Sequence, residues 1–574
     1  MIKLEDDYDR QERGQCFLLR HKKLLFSLGG LLALVVYGTA CVTGATYDTV
    51  VGHGCRRSRC KKIEPIIPAF NKSVDMIFND VEYKKATIER LSGAIKIPTE
   101  IGDVFPEPGE DREYFKYFFE FHDYLEKSYP LVYEQLTVEK VNELGLLYTW
   151  KGSNTSLQPI LLMAHQDVVP VNRKTLDEWE HPPFSGYYDE ETDYIWGRGA
   201  LDCKNLLTAE LEAIEQLLKD GYTPERTTLV SFGFDEESSG TKGARELGKF
   251  LDERYGKDSI YTIIDEGGGV AELEENLFLA LPVNAEKGYV DVLITIDGRG
   301  GHSSKPPDHT TIGVASKLIS LIEDHPFEQS FALDNPIFRA LTCSAEHSSN
   351  IPSSLKRDIL GAPHSRKKEH ALAEFLASHV AYRDLIRTTG AVDIITGGIK
   401  ANALPEVTAF LLNHRIEIHS SVNDTLEADL YHAKKIAKKY GYGLSFKGEP
   451  VIPETSLGVI EINTRYELEP APVSPTSGPV WDLFAGTIQN VFENGVFAGN
   501  KDADMYVATY LSTGNTDTKY YWNLSKNIYR FIASQFDKET SHVVHSVGER
   551  IKADNHLSAI AFVYQYIVNA GNAE

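Results

Sequence analysis

Three apolar runs in this chain each stop at an acid or a histidine: PILLMAH (159–165), TTLVSFGFDEE (227–237) and YTIIDEGG (261–268). Continuous apolar runs of this length read as strands buried on both faces, the pattern of a parallel sheet covered by helices. Between the first two, NLLTAELEAIEQLLKDGY (205–222) puts Leu207, Leu211, Ile214 and Leu218 on one helical face and stops near Gly221 and Pro224. That is the form of a crossover helix. From about residue 66 onward the pattern predicts an α/β fold on a mainly parallel sheet.

A second alternation starts near residue 287, where GYVDVLITIDG, TIGVASKLISLIED, VTAFLLNHRIEIHS and TLEADLYHAKKIAKKYGYG read as strand, helix, strand and helix, followed by LSFKGEP. It predicts a smaller α/β sandwich at 287–447, inserted between two parts of the main domain at 66–286 and 448–574. The stretch 325–390 is irregular and partly helical and has no predicted place. VWDLFAGTIQNVFENG and HLSAIAFVYQYIVNAG predict two helices in the closing part.

Residues 24–45, LLFSLGGLLALVVYGTACVTGA, are uncharged and long enough to cross roughly 30 Å of hydrocarbon as one helix. They predict a single transmembrane anchor after a cytosolic tail at 1–23, followed by a linker at 46–65; a cleaved signal peptide is the alternative. Basic residues flank the run on both sides, so their count does not orient it. N-x-S/T triplets at Asn71, Asn154, Asn423 and Asn523 would be glycosylation acceptors if the body is lumenal. Among six cysteines, Cys55 and Cys60 are spaced to close a small loop. With 574 residues, 42% of them hydrophobic, the cores need no stapling. The 59 basic and 83 acidic residues leave a net charge of −24, which disfavours a nucleic-acid partner and favours a small-molecule or peptide ligand.

His165 with Asp167, Asp202 in WGRGALDCKN, the pair Glu236 and Glu237, and Asp265 would converge in the crevice outside the strand C-termini. Buried together without cations, such acids are costly or protonated. Bound divalent metal removes that penalty, and imidazole mixed with carboxylate suits zinc, then cobalt or manganese. A carboxylate such as Asp202 can bridge two ions about 3.5–4 Å apart. Taken singly, each residue also has a structural use: a strand-end histidine, a helix N-cap in DEESSG, a turn at His302 or before Pro405, a surface ion pair at Arg415. Cys203 beside Asp202 reads as structural.

In this order, H-x-D, D-x-K, E-E, D and a late H, the residues resemble the di-zinc metallopeptidase and aminoacylase family, over nearly everything from about residue 66 to the end. The resemblance implies that His165 and Asp265 bind one zinc ion, Glu237 and a late histidine bind the other, and Asp202 bridges them, giving two zinc ions per subunit. By residue type His542 would serve as well as His545; the family's context, a histidine before a small residue and a short helix, selects His545. Asp167 would accept from the imidazole of His165 and orient it. Glu236 would be the general base, moving a proton from a metal-activated water to the leaving amine.

In relatives, residues matching His302, Asn402 and Arg415 contact the substrate carbonyl and carboxylate, in some cases from a neighbouring subunit. A homodimer through the inserted domain would fit that. Arg415 suits a free carboxylate because its planar fork can meet both oxygens. STGNTDTKYY (512–521) resembles the family's substrate-side loop, with no residue assigned a role.

The resemblance thus implies an exopeptidase that removes the C-terminal residue of short peptides of the Gly-X type, resident in the vacuole. Hydrolysis of N-acyl amino acids is the competing reading, because the machinery would be the same. None of the eighteen histidines precedes a glutamate, so an H-E-x-x-H site is excluded, and there is no G-x-S-x-G elbow or P-loop. A non-enzymatic binding module would be expected to lack a ligand or the base.

Overall fold

The computed structural model describes residues 58–573 apart from 538 and 541. The expected tail, the expected span at 24–45 and Cys55 lie outside the described residues.

The three apolar runs form strands Ile160–His165, Thr228–Gly233 and Thr262–Glu274, parallel neighbours in the middle of a ten-stranded sheet. Ile160 pairs with Thr228 on one side and Thr262 on the other, so all three strands end on the same edge. Side chains alternate between two covered faces, as a pleated strand requires. Ile160, Leu162 and Ala164 face a core built with helices Lys204–Asp220, Pro479–Val491 and Ala553–Gly571. Leu161 and Met163 face a second core with Leu247, Leu251, Tyr521 and Leu524.

The crossover helix Lys204–Asp220 is buried from Lys204 through Leu218 because the sheet covers one side and the closing helix Ala553–Gly571 another. Gly221 ends it in the left-handed region, φ 79°, where a residue without Cβ is favoured; its amide bonds Leu218 O, and that of Tyr222 bonds Leu217 O.

The expected fold class is corrected on two counts. The large sheet is mixed: Thr137–Val141, Gly145–Trp150 and Thr228–Gly233 pair antiparallel, as do Thr262–Glu274 with Leu277–Ala280 and Ile528–Gln535 with Val283–Glu286. Thr137–Val141 joins Gly145–Trp150, and Thr262–Glu274 joins Leu277–Ala280, through short turns, which cannot make a parallel crossover. Second, the transmembrane helix finds no support: among the described residues no helix is long and apolar enough to cross a membrane.

The insertion carries a six-stranded sheet in the order Thr389–Gly397, Val407–Ile416, Gly288–Gly298, Gly458–Leu468, Gly443–Phe446, Glu449–Ile452. Helices Thr311–Glu323 and Val422–Tyr440 cover one face and close a separate core. Because Gly458–Leu468 pairs with Gly288–Gly298, the inserted sheet continues past residue 447.

The unplaced stretch 325–390 holds helices Ile337–His347, Ser353–Gly361 and Arg366–Ser378. They pack on Leu277, Leu279, Val283, Tyr506 and Leu511 of the main sheet rather than on the inserted one. Cys60 joins Cys343 there in a disulfide, so the small loop expected with Cys55 is corrected to a bond spanning 283 residues.

Candidate metal centre and active site

Parallel register puts the ends of the central strands side by side, and the acids and histidine after them share one crevice. His165 is the last residue of its strand, Glu236 and Glu237 follow the next, and Glu266 lies within the third. Asp202 comes from the loop before the crossover helix, and His545 from a loop before the closing strand Arg550–Lys552.

Asp202 is the centre of the arrangement. Its Oδ1 lies 3.0 Å from His165 Nε2, and its Oδ2 lies 3.0 Å from His545 Nε2. The same nitrogen of His165 is 3.5 Å from Glu266 Oε1, and the same nitrogen of His545 is 3.1 Å from Glu237 Oε1. Two ligand groups result, His165, Asp202, Cys203 and Glu266, and Asp202, Glu237 and His545, with donor atoms in each within 4.8 Å of one another.

One ring nitrogen carries at most one proton and cannot satisfy two carboxylates at once. The site is also short of positive charge. Burial pushes Glu236, Glu237 and Asp265 up from the ordinary carboxylate range, and Glu266 up to about 8. Burial would raise Asp202 too, but hydrogen bonds from His165 and His545 outweigh it and hold it well below that range. His545 is raised to about 11 by its hydrogen bonds to Asp202 and Glu237. An imidazole and two carboxylates aimed at each of two points are a donor set that divalent metal fits.

Glu266 stands with His165, Asp202 and Cys203 in the first group, and Asp265, the ligand that the resemblance implies, is the residue before it in the same strand. Asp265 is buried, its Oδ2 lacks a hydrogen-bond partner, and its charge is eased by Arg530 and Thr516.

Asp167 differs from expectation in which of its atoms does what. His165 Nδ1 lies 2.9 Å from the Asp167 backbone carbonyl and 3.4 Å from its carboxylate. A proton on Nδ1 donates to that carbonyl and leaves the Nε2 lone pair facing Asp202. The carboxylate instead accepts from the backbone amides of Glu236 and Glu237 at 3.1 and 3.0 Å. Cys203 is buried, and its sulfur accepts from the His165 amide at 3.3 Å. His542 is exposed and belongs to neither ligand group.

None of the residues expected from the insertion is a member of these groups. His302 and Asn402 are exposed at the ladder formed by Gly301–His302 and Ala403–Leu404, where Ser303 N donates to Asn402 O and His302 Nδ1 meets Ser304. Arg415 lies on Val407–Ile416, 4.6 Å above the Tyr289 ring, and donates to Asn515 Oδ1 at 3.3 Å. Asn515 belongs to the unassigned loop 512–521 and also donates to Lys287 O, at the crossing between the two domains. Asn71, Asn423 and Asn523 are exposed and Asn154 half-buried.

Two residues were missed from sequence. Glu266 had a signal, a second acid beside Asp265. Glu549, fully buried and bonded to the Asp202 loop, had none beyond its place four residues after His545.

Comparison with known proteins places the chain in a family. The family described as Peptidase family M20/M25/M40 matches residues 161–569. The Saccharomyces cerevisiae protein YOL153C is 59% identical over 539 residues, 94% of this chain and 92% of that protein. Carboxypeptidase S of the same organism is 56% identical over 560 residues, 96% of each chain. Among solved structures, the M20 family metallo-carboxypeptidase Sso-CP2 from Sulfolobus solfataricus aligns with a TM-score of 0.56 at 18% identity, covering 84% of this chain and 99% of its own, and shares the fold.

Proposed function

We infer that this chain, which belongs to peptidase family M20/M25/M40, is a metal-dependent carboxypeptidase that removes the C-terminal residue of short peptides, with two zinc ions as its metal. The observation that carries the reading is Asp202, whose two oxygens each meet a different imidazole at 3.0 Å. His165, Asp202 and Glu266 would hold one ion, and Asp202, Glu237 and His545 the other.

Metal held there would supply Lewis acidity toward the scissile carbonyl and would make water acid enough to lose a proton near neutral pH. Glu236 is the group proposed to take that proton, supported by an amide held on Asp167 and a carboxylate outside the five proposed ligands. The Glu236 carboxylate accepts the proton and returns it to the nitrogen of the departing amino acid. The guanidinium of Arg415 is the group proposed to hold the free carboxylate, and its contact with Asn515 ties it to the loop beside the site.

The Cys60–Cys343 disulfide and the exposed sequons support a lumenal location along the secretory route, which we place in the vacuole. Two chains pairing through the insertion is supported by its open edge strand Thr389–Gly397, where Ile394 and Ile395 are more than half exposed.

The test is hydrolysis of amino-blocked Gly-Leu against N-acetyl-leucine by the purified protein. Preference for the blocked dipeptide is expected; preference for the acetyl substrate would make the protein an amidase of N-acyl amino acids.

A further inference from the structure

The loop that presents Asp202 contains few side chains able to hold it. It runs Gly197–Arg198–Gly199–Ala200–Leu201–Asp202, and Gly199 takes φ 88°. What fixes it is a residue of another segment. Glu549 Oε1 accepts three backbone amides of this loop, from Gly199 at 3.0 Å, Leu201 at 2.9 Å and Asp202 at 3.2 Å. Its Oε2 takes Arg198 Nη1 at 2.5 Å, and its backbone carbonyl accepts from Gly197 N at 2.9 Å. Glu549 is wholly buried and Arg198 nearly so.

The same residue stands four positions after His545 and directly before the strand Arg550–Lys552, which pairs antiparallel with Tyr194–Trp196. The segment carrying His545 and the segment carrying Asp202 therefore run side by side, and Glu549 is where they are bonded together. We propose that Glu549 is a positioning residue that sets the bridging carboxylate of Asp202 against His545. This rests on reading Asp202, Glu237 and His545 as metal ligands.

A buried Arg–Glu pair alone would not discriminate between loop geometries, and desolvation offsets much of its attraction. Three amides on one oxygen do discriminate, because they fix the peptide plane from which the Asp202 side chain leaves. Partners behind a metal ligand typically change metal affinity about 10–100-fold when removed. The effect here falls on the ion shared by Asp202 and His545, and less on the ion beside His165, whose imidazole is held independently by Asp167 O.

Two substitutions separate reach from charge. Glu549→Gln keeps an oxygen within reach of the three amides and loses the charge opposite Arg198. Glu549→Asp keeps the charge and is one methylene too short to serve both. The metal-stripped full chain is titrated with zinc by calorimetry and with Co(II) by visible absorption, after circular dichroism has shown each variant folded. The wild type is expected to take two ions. Glu549→Asp is expected to bind the second about 10–100-fold more weakly, with an altered cobalt spectrum, and Glu549→Gln to bind both within about threefold of wild type. Wild-type second-ion binding by Glu549→Asp, or equal weakening in Glu549→Gln, would overturn the proposal while leaving the metal centre intact. A wild-type chain that takes a single ion would instead remove the two-ion reading on which it rests.

Discussion

Oδ2 of Asp167 lies 3.0 Å from the backbone nitrogen of Glu237 and accepts its hydrogen bond. The other oxygen takes the amide of Glu236, so one carboxylate at the end of one strand fixes the turn after the next. Because Glu236 is the proposed base and Glu237 a proposed ligand, Asp167 would hold the two side chains in register with each other.

Asp167→Asn places a donor opposite one of those amides. Its kcat is expected to fall about 10–100-fold, and its zinc affinity by a similar factor in a chelator competition. Unchanged values of both would leave Asp167 with no part in shaping the site.

Glu236→Gln removes the proposed proton acceptor and none of the five proposed ligands. It is expected to lower kcat about 10²–10⁴-fold while bound zinc stays at the wild-type level. Steady-state rates and metal analysis on the same preparation decide it, and turnover near that of the wild type would exclude Glu236 as the base.

Glu266→Gln and Asp265→Asn form a matched pair. The first is expected to lose about one ion per chain and the second to retain both, since Glu266 is the acid grouped with His165 and Asp202. Zinc content after dialysis checks this, and the opposite ranking would return the ligand role to Asp265.

That pair also marks how far the site could be read from residues alone. The central strands were legible because their apolar runs are continuous, and the crossover helix because its period ends at a glycine. Which of two adjacent acids faces the crevice depends on the pleat phase, and an apolar run buried on both faces carries no phase. Pairings across long separations left no local trace either: Gly458–Leu468 with Gly288–Gly298, Cys60 with Cys343, and Glu549 with the amides around Asp202. The mixed character of the large sheet was hidden for the same reason, because strand direction follows from connections and not from composition.

His122 gives a pH dependence away from the metal centre. It is buried, its Nε2 donates to Gln166 Oε1 at 2.8 Å, and burial holds its pKa down at about 4. Unfolded histidine takes up its proton near 6.5, so between these values the unfolded chain binds more protons than the folded one. The contribution is therefore full above about pH 6.5 and is lost as pH falls toward 4, about 3 kcal/mol in all. His122→Gln should flatten this part of the curve in urea unfolding between pH 6.5 and 4.5; parallel curves for the two proteins would contradict it.

The most direct measurement is the zinc content of the purified chain and of Asp202→Asn, read beside hydrolysis of blocked Gly-Leu. The shared carboxylate predicts two ions per wild-type chain, with weakened binding at both positions and lost turnover in the variant. One ion per chain with full activity, or a variant that keeps both ions and its rate, would contradict it.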